Sequence, residues 1–589
     1  MPPSTFGPVE QNDEVLFTLW APLQQTVSLR IDGEEDRPMQ RHEEGWHVLP
    51  LNTPKNGLRY GFLLEDGVTV PDPASRFQPD GPHGLSELID LGACEWQALD
   101  WKGRPWEESV IYELHIGTFT PKGTYEMAVS RLDHLADLGV TALQLMPLNE
   151  FSGSRGWGYD GVLPYAPFHG YGRPEDLQHF IDEAHQRGLN VFIDVVYNHL
   201  GPDGNYLPSY APIFSERHKS AWGQGINLDG DAARRVRDYF IENALYWLED
   251  FRFDGIRFDA VHALKDDGKP HFLTELATRV RESFPDRHIH LIVENEENDS
   301  QLLQRDADGK PSLFTAQWND DVHHVLHAAA TGEDFGYYKD YARDYGKILR
   351  ALAEGFVFQG ENMPYRGTPR GQPSGHLPPT SFISFIQNHD QIGNRAKGDR
   401  FTEATTSAQR RALSAIYLLL PQIPMIFMGE EWDSRQPFPY FCDFDDDLNR
   451  IVREGRRKEL SRLPGFVEIS KEEIDPTRPE TSRHARLDWE NLSKPDNVAH
   501  LAHYKALLEV RRNSILPRLA GIKTGGHGSV AGSVIEVRWQ TADGQLALIT
   551  NLSDADERFP GNSRGTVLWQ EGDISEDTCG PWSVRWTTG

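Results

Sequence analysis

The period at which apolar residues recur changes twice along this 589-residue chain. Up to about residue 95 they form short strand-like runs, Val15-Leu16-Phe17-Thr18-Leu19-Trp20 and Val27-Ser28-Leu29-Arg30-Ile31. Asp32-Gly33, Asn56-Gly57 and Asp66-Gly67 are turn dipeptides around them. The pattern predicts a β-sandwich over residues 1–95. Proline-rich Pro71-Asp72-Pro73 and Pro79-Asp80-Gly81-Pro82 follow as linker.

From Val110 near-continuous apolar runs alternate with helical spacing. A strand is expected over 110–119 and a helix over 125–138. Another helix opens at Pro174-Glu175-Asp176, with Leu177, Phe180, Ile181 and Ala184 at i, i+3, i+4, i+7. Further strands are expected at Ala142, Val191, Gly255, His290, Leu313, Phe382 and Ile423. Apolar strands between amphipathic helices mean a parallel sheet covered on both faces. The fold class is therefore α/β, a (β/α)8 TIM barrel over 96–495 with an N-terminal and a C-terminal β-sandwich domain. An open doubly wound sheet is the alternative, but no G-x-G-x-x-G follows a first strand. After about residue 500 the chain reads as β again, with strands at 534–539, 546–550 and 582–586. The second sandwich is placed at 496–589. Three domains suit a chain this long.

Polar residues gather where the barrel strands end. The third strand ends in Asp194-Val195-Val196-Tyr197-Asn198-His199. The fourth runs Gly255-Ile256-Arg257-Phe258-Asp259-Ala260-Val261-His262. The fifth ends in Glu294, the sixth in Trp318-Asn319-Asp320-Asp321, the seventh in Gln387-Asn388-His389-Asp390. Arg257 and Asp259 alone fit a structural ion pair as well as a nucleophile kept ionised by a guanidinium. Five acidic strand ends in succession favour an active site, since buried charges are costly unless paired or used. Three carboxylates at three strand ends suggest two-carboxylate glycosidase chemistry with a helper. No H-E-x-x-H helix supports metal catalysis, and no G-x-S-x-G elbow a serine nucleophile.

Composition narrows the partners. A formal net charge of -30 argues against nucleic acid or an anionic membrane and suits a neutral substrate. Aromatic residues make up 11%, with 15 Trp, a weak pointer to sugar rings and more commonly just an aromatic core. The longest apolar stretch is cut by Pro421, Gln422 and Pro424, too short to span a membrane. Met1-Pro2-Pro3-Ser4-Thr5-Phe6 has no signal-peptide pattern. Cys94, Cys442 and Cys579 imply neither a disulfide framework nor a metal site, so the cytoplasm is expected.

The strand-end stretches resemble the four signature regions of the α-amylase superfamily of retaining α-glycosidases. Within it the chain is similar to the maltooligosyl trehalose trehalohydrolases. That similarity rests on Gly201 to Leu207, Ala316 to His324, Gln387 to Arg395 and Phe427-Met428-Gly429-Glu430-Glu431. It implies hydrolysis of the α-1,4 bond beside a terminal trehalose, with maltooligosyl trehalose and related α-1,4-glucans as partners. It implies Asp259 as nucleophile, Glu294 as general acid and then base, and Asp390 as stabiliser of the distorted sugar. Arg257 would hold Asp259, and Asp194 would orient Arg257. His199 and His389 would bond sugar hydroxyls, and Tyr159 would stack on the cleaved ring. Trp222, Tyr365 and Arg366 would line the trehalose end, while His262 and Asp320 complete the substrate-binding set. No metal or cofactor is expected, and a monomer or weak oligomer is. Glu296, Glu297 and Asp299 depart from the pattern and are expected to raise the pKa of Glu294. A branching transferase shares these acids. A non-catalytic glucan-binding protein would be expected to lack one of them.

Overall fold

The computed structural model describes residues 5–11, 14–52, 54–220, 222–461, 475–558 and 565–589. Met1 to Ser4, part of the stretch read for a leader, lie outside them. Eight parallel strands close a barrel in chain order. They are β1 (Ile111–Leu114), β2 (Ala142–Leu145), β3 (Asn190–Val195), β4 (Gly255–Phe258), β5 (His290–Val293), β6 (Ala316–Trp318), β7 (Phe382–Ser384) and β8 (Ile423–Phe427). Every residue of these strands is buried, as a sheet covered outside by helices and filled inside by its own side chains requires. Closure comes from β8, which pairs with both β7 and β1.

The helices outside the barrel follow their caps. In α1 (Pro174–Gln186) proline takes the first turn, Asp176 accepts from the Arg173 amide at 2.8 Å, and Leu177, Phe180, Ile181 and Ala184 face inward. Next come α2 (Ala233–Glu249), α3 (Phe272–Ser283), α4 (Asp320–Thr331), α5 (Ser407–Tyr417) and α6 (Pro495–Val510).

Four expectations change. The first strand stops at Leu114, because His115 turns the chain into a short helix: Phe119 N–H donates to the His115 carbonyl at 2.9 Å. The helix expected over 125–138 is two, Tyr125–Val129 and Leu132–Leu138, parted where Ser130 Oγ bonds the Met127 carbonyl at 2.6 Å. The sixth strand starts at Ala316 rather than Leu313. Residues 495–519 are helical rather than β-like, since α6 continues through a π turn (Arg511–Ile515) into Leu516–Leu519.

Before the barrel, two antiparallel sheets face each other. One is built on Glu14–Trp20 and Trp46–Asn52, the other on Ser28–Ile31 and Arg59–Leu63. The Arg76 guanidinium joins this unit to the barrel, 4.9 Å from the ring centre of Tyr165 and 4.4 Å from that of Tyr246. After the barrel, one five-stranded antiparallel sheet lies against barrel helices and carries a two-stranded ribbon, Asn551 Nδ2 donating to the Cys579 carbonyl at 3.0 Å. There Trp586 Nε1 donates to the Ala415 carbonyl on α5 at 2.9 Å. Among the described residues no helix is long and apolar enough to cross a membrane.

Candidate active site

β4 ends earlier than the alternation of its sequence implies. The strand stops at Phe258, and Ala260 takes φ +40, a left-handed conformation unusual for a residue with a side chain. The bend turns Asp259 over the end of the barrel and aims the Ala260 N–H at Glu294 Oε2, 2.9 Å away. Parallel register does the rest: Arg257 lies beside Asp194 on β3 and beside Ile292 on β5, two residues before Glu294.

Arg257 is the hub and is fully buried. Its Nη1 donates to Asp194 at 2.7 and 2.9 Å and to Asp259 Oδ1 at 2.8 Å. Its Nη2 donates to Glu294 Oε2 at 2.8 Å. The Trp318 ring at the end of β6 lies 4.2 Å from the guanidinium carbon, a cation–π platform. Asp259 Oδ2 accepts from Asn198 Nδ2 at 2.8 Å, so both of its oxygens are held. Tyr159 OH donates to Asp194 at 2.7 Å, and its ring stacks on His389 with centres 5.0 Å apart.

The two acids on Arg257 are driven apart. Burial favours the neutral form of Asp259, but Arg257, His199 and Asn198 outweigh it and hold Asp259 below the usual carboxylate range. Burial pushes Glu294 well above that range, and Asp259, Asp390 and Asp320 add to the rise while Arg257 opposes it. The expected cause, the acidic run after Glu294, is not among the leading ones. Glu296 is 63% exposed, and Glu297 is tied to Arg366 at 2.5 Å. Burial likewise lifts Asp320 to about 7. Two carboxyls with opposed protonation preferences on one guanidinium fit an acid and a nucleophile.

A cavity of about 550 Å³ opens above them. Asp259, Glu294, Asp390, Tyr159, His199, Trp222, His262, Asp320, Tyr365 and Arg366 line it, ten of the thirteen residues expected at the site. Asp194, Arg257 and His389 do not reach the cavity and sit beneath it at 0–1% exposure. Trp222 and Tyr365 are 52% and 60% exposed. Trp222 stacks flat on His199, centres 5.1 Å apart. Both nitrogens of that imidazole are engaged, Nε2 with the Tyr159 carbonyl at 3.0 Å and Nδ1 with Asn198.

Several contributors escape sequence reasoning. Glu113 of β1 lies 2.6 Å from His389 Nδ1. Asp160 accepts from Tyr440 OH at 3.0 Å on the cavity wall. Arg370 donates to buried Asp321 at 2.8 Å and to the Glu296 carbonyl at 2.7 Å, bracing the rim. The signal for the first was present: a lone Glu within the apolar run Val110-Ile111-Tyr112-Glu113-Leu114.

His323 and His327 stand one turn apart on α4, but His323 meets the Ile386 carbonyl and Tyr338, and His327 meets Glu333. His218, Asp229 and Asp267 cluster closely enough to hold a cation. The Arg217 guanidinium already lies 2.6 Å from Asp229 there.

Comparison with known proteins places this geometry. The family described as "Alpha amylase, catalytic domain" matches residues 98–221. Malto-oligosyltrehalose trehalohydrolase of Deinococcus radiodurans is 40% identical over 548 residues, covering 91% of this chain and 87% of that protein. The same-named protein of Saccharolobus solfataricus is 39% identical over 564 residues, covering 93% and 96%. A 1.4 Å crystal structure of a Salmonella typhimurium protein, 43% identical, superposes over 100% of both chains with a TM-score of 0.95. Identity at this level over nine-tenths of the length, on a closed barrel with an arginine-bridged pair of acids, shows that the chain belongs to the malto-oligosyltrehalose trehalohydrolase family, glycosidases built on the alpha-amylase barrel.

Proposed function

We propose that the chain hydrolyses the α-1,4-glucosidic bond next to the terminal trehalose of maltooligosyl trehalose, releasing trehalose by double displacement with retention. One observation carries the chemistry: Arg257 gives one nitrogen to Asp259 and the other to Glu294. Family membership carries the substrate.

In the first step a carboxylate oxygen of Asp259 attacks the anomeric carbon, and the bond to the trehalose oxygen breaks. Glu294 gives that oxygen its proton. Glu294 Oε2 already accepts from Arg257 Nη2 and Ala260 N–H, so the transferable proton belongs on Oε1. In the second step Glu294, now ionised, takes a proton from water, which opens the β-glycosyl ester and frees Asp259. Retaining enzymes hold such carboxyls about 5–5.5 Å apart. Asp390, 38% exposed to the cavity, is free to bind hydroxyls of the distorted ring. Tyr159 serves as platform for that ring, and Trp222, Tyr365 and Arg366 receive the trehalose end. No metal or cofactor enters these steps. The free cysteines support a cytoplasmic location, and we take the active unit to be one chain or a weak oligomer.

Product analysis with maltotetraosyl-trehalose beside maltopentaose tests this reading. Trehalose should appear early from the first, with the new reducing end formed as the α-anomer by NMR. Equal cleavage of both substrates rejects trehalose selectivity, and new branch points in amylose favour a branching transferase. An initial β-anomer rejects retention.

A further inference from the structure

Two charge sandwiches stand side by side under the cavity. In one, Arg257 lies between buried Asp194 and cavity-facing Asp259. In the other, His389 lies between buried Glu113 and cavity-facing Asp390, at 2.6 and 3.4 Å. The mechanism draws on Arg257 and Asp259 from the first sandwich, and from the second only the cavity-facing acid, Asp390.

Glu113 is the second sandwich's counterpart of Asp194. It is wholly buried at the third position of β1 and does not line the cavity. Its Oε1 meets His389 Nδ1, and its Oε2 accepts the His389 backbone N–H at 3.2 Å. One carboxylate thus fixes both the ring and the main chain of His389 across the closing seam of the barrel. With Nδ1–H given to Glu113, the other ring nitrogen faces Asp390. A carboxylate this deep persists only beside a matched cation.

We propose that Glu113 is a positioning residue that holds His389 as a doubly protonated imidazolium, so that Nε2–H keeps Asp390 charged and aimed at the sugar.

The groups around His389 agree. Burial alone would neutralise the ring, but Asp390 and Glu113 lift it to about 9, with Arg257 opposing. From the end of β1, His115 also faces it but is kept neutral by burial, at about 4. Tyr159, stacked on the ring, stays protonated. Glu113 and Asp390 are therefore the anions that lead the shift, and of the two Glu113 is shielded from substrate. The role in turnover rests on the function proposed above; the protonation state does not.

The test uses the full chain labelled with 15N-histidine, with the His389 signals assigned through His389→Gln. Wild-type His389 should remain imidazolium to about pH 9. Glu113→Gln should lower its pKa by at least about one unit. On maltotetraosyl-trehalose that variant should lose roughly 10- to 100-fold in kcat, as removal of an orienting partner does. KM should change little, and the alkaline limb of kcat/KM should move to lower pH. Glu113→Asp, which keeps the charge, should restore the limb. A folded Glu113→Gln with unchanged His389 titration overturns the proposal, as does a kcat loss with an unmoved limb. Should Glu113→Gln not fold, a wild-type His389 titrating below pH 7 overturns it alone, and one protonated to about pH 9 that stays so in Glu113→Asp, with the alkaline limb in place, supports it. An absence of trehalose release from the wild type would reject the proposed function and leave the titration readable.

Discussion

The floor of the cavity and its rim are built in opposite ways. On the floor, Asp194, Arg257, Glu113 and His389 are 0–1% exposed and come from strands or strand ends locked in parallel register. Asp194, Glu113 and both Nη atoms of Arg257 there make hydrogen bonds of 2.6–3.2 Å. At the rim, Trp222 and Tyr365 are more than half exposed. They sit on two-stranded hairpins outside the barrel, Phe214–Ser220 with Gly223–Ile226 and Asn362–Met363 with Thr368–Pro369. A floor pinned by register can hold charge where a transition state needs it, without reorganisation at the moment of reaction. A rim on hairpins can change residues without disturbing that floor, which is where substrate choice belongs. The chemistry and the selectivity of this enzyme are therefore separable, and substitutions can show it.

The largest effect should come from the floor. Asp259→Asn should lower kcat by roughly 10⁴-fold or more while calorimetric binding of substrate persists, because an isosteric amide keeps the packing but cannot form the ester. Glu294→Gln should cost roughly 10²–10⁴-fold. An activated aryl glycoside, needing no proton for its leaving group, should recover part of the first step for Glu294→Gln alone. Rescue of Asp259→Asn instead would reverse the assigned roles.

The pH profile sharpens the same comparison. Asp259 must be ionised, and Arg257 holds it below the usual range, so kcat/KM should persist down to pH values below about 4. Glu294 must carry its proton and His389 must stay an imidazolium, so the alkaline limb reports both groups and activity should fall as pH rises through them. Arg257→Met removes the common cation and should move both limbs upward. An acid limb that stays put would mean that Arg257 does not govern the charge of Asp259.

Rim substitutions should be smaller and selective. Trp222→Ala should cost about 1–3 kcal/mol in kcat/KM for trehalose-ended substrate, and less for plain maltooligosaccharide. An unchanged ratio of the two would detach Trp222 from selectivity. Arg366→Ala breaks a partly exposed pair with Glu297 and should change KM by an amount corresponding to about 1 kcal/mol or less. A kcat loss as large as that of Glu294→Gln would place Arg366 on the floor.

What could be read from the sequence follows the same division. Polar residues at the ends of apolar strands stand out against their background, so Asp194, Arg257, Asp259, Glu294 and Asp390 could be placed before any coordinates. α1 could be read because its proline, its acids and its apolar face agree. Glu113 stands out as a lone acid in an apolar strand, but its role could not be read, because its partner His389 is 276 positions away. Trp318 reads as one more core aromatic until Arg257 is seen above it. The break after Phe258 was hidden by an alternation that continues to Ala260, although the backbone turns there. α6 was missed because its apolar residues are not confined to one face, so helical and strand periods compete.

The closing seam also sets when, during its synthesis, this protein becomes an enzyme. Ile111 pairs with Met425 and Glu113 with Phe427, while β8 also covers β7. A chain emerging from the ribosome shows all three acids once Asp390 is out, yet its sheet still has two open edges. Pairings this distant in sequence form slowly and late. Until Ile423–Phe427 arrives, β1 lacks one neighbour and the Glu113 carbonyl lacks the Met428 N–H it accepts at 2.9 Å. Translation that stops before that strand therefore leaves an aggregation-prone open sheet rather than a slower catalyst.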